Sequence, residues 1–363
     1  MTQTLDTVLI FIFFVMYFLR MVYDLEIGRD SLSVTYAYKL EQQTFSALRF
    51  QTYIYVIFLT ITKLYVLSKC LKYVNVDMGL IYIAIWGIIS ILLSQTVSSI
   101  SLEQDTRLDG SITLKSISYA TYIGVVLIAS SYYFFKKRGT LQYIIYFVIC
   151  LVFIRIMFLT ASRGPILSIV ICFFVYRVLL FLKRKRFNFL VFNLLIFLSC
   201  LASYILGYIQ NILIVYFPIF YNRLDRDNRS MVYETFISEL KNHLFFGFQL
   251  DFLGYSHNMI LDSFVMFGIV GGLIVPLICL RFLYCSLKYI KLYNMHLFLV
   301  LLHFAICNMF SGALGVNLGF WSAYLVFAYS ISSRLSNTSL PSAEESNDTN
   351  SIGNMMTARN CSV

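Results

Sequence analysis

One histidine, a few arginines and a set of glycines are the residues of this chain best suited to chemistry. His257 and Asn258 precede an apolar segment that contains Gly268, Gly271 and Gly272. If that segment is one helix, Gly268 and Gly271 fall within roughly 40° of the His257 face at about 100° per residue. Gly268 and Gly272 also make a G-x-x-x-G pattern, which lets a neighbouring helix approach closely. Near a helix N-terminus the dipole disfavours imidazolium, so His257 reads as a neutral ring able to accept a proton. A lone histidine also has a structural reading, and His243, His296 and His303 are read that way.

The arginines offer anion binding. Thr160-Ala-Ser-Arg-Gly-Pro165 makes a short turn between two apolar runs. Gly164 suits a tight turn, and Pro165 suits the first turn of the helix that follows. Arg163 is thus held at a membrane rim, where a guanidinium can grip two phosphate oxygens. Its other reading is an interfacial side chain that reaches for lipid headgroups. Further along, Arg223, Arg226 and Arg229 recur at three-residue spacing among Asp225 and Asp227. They could hold a pyrophosphate or an anionic sugar, or form a solvated loop balanced by its own carboxylates. Arg155 falls inside an apolar run, and an intramembrane arginine is a functional candidate by default. It could equally satisfy backbone carbonyls within a bundle.

Composition dictates the elements that must position these groups. The chain has 363 residues, 59% of them hydrophobic and 13% charged. Its mean hydropathy is +0.77. A soluble domain has roughly a quarter of its residues charged, and one soluble core could not bury this much apolar surface. In lipid, such surface can face outward. With only 4 prolines and 17 glycines, long helices form readily, whereas a barrel needs many turns. The expectation is therefore an all-α, polytopic membrane protein.

Apolar runs place about ten spans, near residues 7–23, 50–68, 80–98, 116–135, 141–160, 165–182, 188–208, 258–280, 295–311 and 314–332. The first reads as an uncleaved helix, because no small-residue cleavage site follows it. Basic clusters at Lys136–Arg138, at Lys183–Arg186 and at Arg281, Lys288 and Lys291 then fall on the same side as both termini. By the positive-inside rule that side is the cytoplasm. The net charge of +10 is thus mainly a topology signal, and no nucleic-acid partner is expected. The 8 cysteines lie mostly in apolar runs, have no metal-ligand spacing with a histidine, and read as small hydrophobes.

Two domains follow. Residues 1–335 form the membrane domain, with a long outer loop over about 207–256 before the eighth span. Residues 336–363, rich in Ser, Asn and Thr, read as a disordered cytoplasmic tail. Within the loop, Val232, Phe236, Leu240 and Leu244 recur every four residues. That spacing predicts an amphipathic helix over Met231–His243.

Taken together these motifs resemble the superfamily of O-antigen polymerases (Wzy) and O-antigen ligases (WaaL). The resemblance rests on the Ser162-Arg163-Gly164 turn and on Arg229 opening the amphipathic helix. Asn242-His243-Leu244-Phe245-Phe246-Gly247 is similar to the family's n-P-l-f-G stretch, with His243 where proline is common. His257-Asn258, nine residues, then Gly268-Ile-Val-Gly271 matches the ligase-type pattern H-[NSQ]-x9-G-x-x-[GTY] in full. The detailed likeness covers roughly residues 141–275.

The resemblance implies a GT-C-like helical bundle in the bacterial inner membrane, with its site at the outer leaflet and no metal or cofactor. It implies undecaprenyl-pyrophosphate-linked glycans as substrates, alongside membrane lipid, a chain-length regulator and a flippase as partners. His257, Arg163 and Arg229 would be catalytic. Arg223, Arg226, Asn258 and Arg155 would contact substrate, and Gly164, Gly268, Gly271 and Gly272 would be structural. The leading expectation is a polymerase that joins repeat units into O-antigen or capsule. The alternatives are a ligase transferring the chain to lipid A core, and a lipid-linked sugar flippase or other transporter.

Overall fold

The computed structural model describes residues 2–31, 58, 60–98, 116–137, 139–160, 162–184, 211, 214–216, 229–247, 258–289, 294–311 and 318–339. Among the described residues all regular structure is helical. Helix α1 is Thr2–Ser31. Helical residues 60–70 pass through a 3-10 turn, Leu71–Tyr73, into α2, Val76–Ser98. Then come α3, Ser116–Lys137, α4, Thr140–Leu159, and α5, Arg163–Arg184. Helix α6 is Arg229–Asn242, α7 is Met259–Gly272 and α8 is Ile274–Lys288. The last two are α9, Met295–Ser311, and α10, Leu318–Ser339.

Four of these helices are long and apolar enough to cross a membrane, or up to five if a bent pair counts as one span. The protein is therefore a multi-pass helical membrane protein. The expected span at 188–208 lies outside the described residues. Helix α10 runs on to Ser339, past the boundary expected at residue 335.

Helix α9 is the axis of the bundle. Leu297, Phe298, Leu299, Val300 and Leu301 are buried in succession, so the helix is covered on every side. It packs against α3, α5 and α10, while α2 and α4 lie against the outside of α3. Helix α2 turns Tyr82, Trp86 and Leu93 outward, and α4 turns Leu141, Ile144 and Phe147 outward. These faces suit lipid. Without a strong hydrophobic drive between helices in lipid, close packing and hydrogen bonds hold them together. Gly87 of α2 makes room for Val126 of α3, and Gly124 of α3 makes room for the His303 ring of α9.

The bonds between helices fix their directions. Ser168 Oγ meets His303 Nδ1 at 2.8 Å, and Cys172 Sγ reaches Leu299 O at 3.5 Å. Advancing along α5 means retreating along α9, so the two are antiparallel. The His303 ring is fully buried, and its Nε2 lies 3.0 Å from Thr121 O. That carbonyl can only accept, so Nε2 carries the proton, and Nδ1 shares the single Ser168 hydroxyl proton with His303 O, 3.1 Å from the Oγ. Both ring nitrogens are used, which supports the structural reading of His303.

Three helices start on an asparagine cap, which satisfies N–H groups that the first turn leaves open. Asn75 accepts from Asp77 and Met78, Asn258 from Ile260 and Leu261, and Asn294 from His296. Asn294 Nδ2 also donates to Asp77 Oδ1 at 2.7 Å. The starts of α2 and α9 therefore lie at the same end of the bundle.

That end also carries a buried ion pair. Arg281 of α8 donates through Nε and, at 3.4 Å, through Nη2 to the Asp6 carboxylate of α1. Tyr324 of α10 donates to Asp6 Oδ1 at 2.8 Å. The sequence places Arg281 among loop charges that follow a span, whereas it lies in the middle of α8 and ties α1 to α8. Breaking one partner of a buried pair typically costs about 3–5 kcal/mol, while replacing both by apolar groups is often nearly neutral. Asp6→Asn is therefore expected to lower the melting temperature sharply. Asp6→Leu combined with Arg281→Met is expected to recover most of the loss. Thermal melts in detergent check this, and a double variant as unstable as the single one would refute it.

Candidate functional site

The turn between α4 and α5 is short because both of its sides are tied down locally. Thr160 Oγ1 donates to Met157 O at 2.7 Å, and Ser162 Oγ donates to Thr160 O at 3.3 Å. Thr160, Ser162, Gly164 and Pro165 are buried. Arg163, half-buried, is the first residue of α5. Pro165 sits in the first helical turn, as expected. Gly164 takes helical backbone there, so the turn does not require its conformational freedom. Among the described residues the glycines with positive φ are Gly247 and Gly268.

Arg163 lies about five residues up α5 from Ser168, or roughly 7.5 Å at 1.5 Å per residue. In the antiparallel register set by Ser168 and His303, that level on α9 is Asn308. Asn308 is buried, and its Nδ2 points to Met259 Sδ at 4.0 Å. Met259 is the first residue of α7 and directly follows the cap, Asn258. The start of α5, the far end of α9 and the start of α7 therefore gather at one end of the bundle. It is the end opposite the Asp6–Arg281 pair.

At that end Asn258 has a role the sequence does not assign. Its Oδ1 accepts from Ile260 N at 3.0 Å and from Leu261 N at 3.1 Å. The side chain caps α7 and orients its first turn. Asn258→Ala is expected to cost about 0.5–2 kcal/mol, and Asn258→Asp much less, because aspartate is an equally good cap. A thermal melt of each variant reads the difference directly.

Helix α7 departs from the expected continuous span over 258–280. It meets α8 at 87°. Inside it, Gly268 has φ 65° and ψ −166°, a conformation essentially reserved for glycine. The ladder breaks there, so the helical wheel that aligns Gly268 and Gly271 with His257 does not carry across. The G-x-x-x-G reading changes as well. A Cβ on Gly268 would lie 2.2 Å from Phe245 O, on the segment that follows α6. A Cβ on Gly272 would meet Phe264 of the same helix, because the chain folds back. Ser263 Oγ donates across that fold to Gly272 O at 3.0 Å. Gly271 does receive a neighbouring helix, since its open side faces the methyl of Met16 on α1.

Helix α6 covers nearly the segment expected to be helical, Met231–His243, and Arg229 is its first residue. Phe236 is buried and α6 packs on α7. Gly247, at φ 73°, ends the turn after α6. Its N–H donates to His243 O at 2.9 Å, and Ile269 N–H donates to Leu244 O at 2.8 Å. Gly247 and Gly268 thus face each other, backbone against backbone. Arg20 of α1 adds a third tie by donating to Phe246 O. The helix that begins with Arg229 is fastened to the helix that follows His257.

The side chain of Arg229 lies outside the described residues, as do His257, Arg223 and Arg226. Arg155 sits on the exposed face of α4, opposite buried Phe153, Ile156 and Met157. It does not join the buried polar groups, because the face of α4 that packs inward is that of Phe153, Ile156 and Met157. Asn308 and Asp262 are buried polar residues near this end that the sequence does not single out. Asp262 lies one turn into α7, and its spacing from Asn258 was the available signal. No protein-family model, no curated protein and no solved structure matches this chain.

Proposed function

We propose that this chain is a metal-independent polysaccharide polymerase of the O-antigen type. It would join undecaprenyl-pyrophosphate-linked repeat units at the outer face of the bacterial inner membrane. The observation that supports the reading most is the gathering of distant motifs at one end of the bundle. Arg163 at the start of α5 is level with Asn308, Asn308 reaches the start of α7, and α7 directly follows His257-Asn258. The segment after the helix opened by Arg229 is tied to α7 by the Ile269–Leu244 bond, where Gly247 and Gly268 pack closely.

The chemistry makes two demands. The anomeric carbon of the donor carries a pyrophosphate leaving group, whose developing charge must be stabilised. The attacking sugar hydroxyl must lose its proton. Arg163 and Arg229 answer the first demand, since positioned cations act strongly on developing charge in a partly dry site. Neutral His257 answers the second as general base. In this proposal the chain has ten spans in a GT-C-like arrangement with both termini cytoplasmic, and the 207–256 segment lies on the outer side. A flippase and a chain-length regulator are its expected partners.

The test is an assay of purified protein with lipid-linked repeats. A ladder of lengthened chains supports the polymerase. Transfer of a preformed chain to lipid A core makes it a ligase, and neither product would sink both readings in favour of transport.

A further inference from the structure

The segment after α6 ends in an apolar tip. Phe245 is 66% exposed and Phe246 83% exposed. The tip is not loose: Leu244 O accepts from Ile269, Phe246 O from Arg20, and Gly247 N–H donates to His243 O while its backbone packs closely on Gly268. Two phenyl rings are thus held outward on a rigid support. On α7 Val270 is 71% exposed, and Leu273 between the two helices and Leu277 and Leu280 on α8 are exposed as well. These residues belong to a bent pair whose length and apolar character suit a membrane crossing.

The depth of the tip follows from α1. Arg20, which holds Phe246, lies about 21 Å along α1 from Asp6 at ~1.5 Å per residue. The hydrocarbon core of a bilayer is about 30 Å thick. The polar residues Thr2, Gln3 and Thr4 precede Asp6, and the placement inferred here puts one boundary near Asp6. Phe246 therefore falls short of the other boundary. Phe11 and Leu19, on the stretch of α1 between Asp6 and Arg20, are exposed and apolar too.

We propose that the Leu244–Gly247 tip is a wedge immersed in the bilayer, packed against lipid acyl chains, and that it anchors α6 at the membrane surface. This goes beyond the outer loop expected over about 207–256, whose tip would enter the bilayer. It also explains why the segment is pinned by backbone bonds. In hydrocarbon an open carbonyl or N–H is costly, and Leu244 O, Phe246 O and Gly247 N–H each have a partner. The inference does not depend on the enzymatic proposal, because the anchor would serve any activity of this fold.

Fluorescence quenching of full-length protein in vesicles tests it. The chain has 2 tryptophans, of which Trp86 is outward on α2 and Trp321 is fully buried. Phe246→Trp is made in a Trp86→Phe background, and Phe245→Trp serves as the second variant should the first fail to fold. Vesicles of phosphatidylcholine brominated on the acyl chains supply the lipid probe, and acrylamide supplies the aqueous one. The expected result is bromolipid quenching comparable to that of Trp86 in the wild-type chain, with little effect of acrylamide. Strong acrylamide quenching without bromolipid quenching would overturn the wedge. So would protection from both probes, which would mean that protein covers the tip.

Discussion

Replacing His257 with alanine is expected to cut turnover of lipid-linked repeats by about 10²–10⁴-fold, the usual worth of a general base. Binding of the donor should survive, because the imidazole acts on the acceptor hydroxyl and not on the phosphates. The arginines should behave differently. Arg163→Ala and Arg229→Ala should lose nearly all activity together with donor affinity. Arg163→Lys should keep part of it, since lysine retains the charge but not the two-point grip. An isolated imidazole titrates near ~6.5, so activity should fall on the acid side as the base becomes protonated. Ladder formation gives the rate, and a lipid-linked repeat bearing a spin or fluorescent label gives the binding. A well-folded His257→Ala protein with near wild-type turnover would remove the histidine from catalysis.

The second large effect belongs to Gly268. Gly268→Ala is expected to destabilise the protein by more than ~3 kcal/mol, and Gly268→Leu to abolish folded yield. Two costs add. The backbone conformation is one that L side chains rarely adopt, at about 1–3 kcal/mol. The new Cβ would also sit 2.2 Å from Phe245 O and 2.3 Å from Phe245 C. Those are backbone atoms held by the Leu244–Ile269 bond, so they cannot yield cheaply. Gly247→Ala should behave alike, since its Cβ would meet Val265 O at 2.5 Å. Gly79 is the control: it lies in α2 with nothing within 4 Å of its missing Cβ. Gly79→Ala should be neutral or stabilising by up to ~1 kcal/mol. Monodisperse yield and melting temperature in detergent measure all of these. A Gly268→Ala protein that melts with the wild type would show that the bend is not required.

The two predictions test different things. Loss of activity with a normal melt in His257→Ala speaks to chemistry. Loss of folded protein in Gly268→Ala speaks to the support that joins α6 to α7. A protein in which the first fails and the second holds would retain the fold described here and would need another residue as the base.

Much of this molecule was legible as one-dimensional pattern. Apolar runs predict helices, and the described helices largely follow them, because a helix forms from local hydrogen bonds and lipid rewards an apolar surface. The four-residue spacing from Val232 to Leu244 predicts α6, and the short turn before Arg163 is where α5 begins. What the pattern could not decide is which helices touch and where a run bends. Ser168 and His303 are 135 positions apart, and Asp6 and Arg281 are 275 apart. No local periodicity encodes those pairs. Gly268 shows the limit most plainly. On a helical wheel it is a smooth face for another helix, yet in the fold it is a break at which the backbone of residues 245–246 crosses. The choice between helix and break depends on the segment after α6 arriving there with its own glycine. Only the packed structure brings Gly247 and Gly268 together, because a backbone-to-backbone approach is decided by atoms distant in sequence.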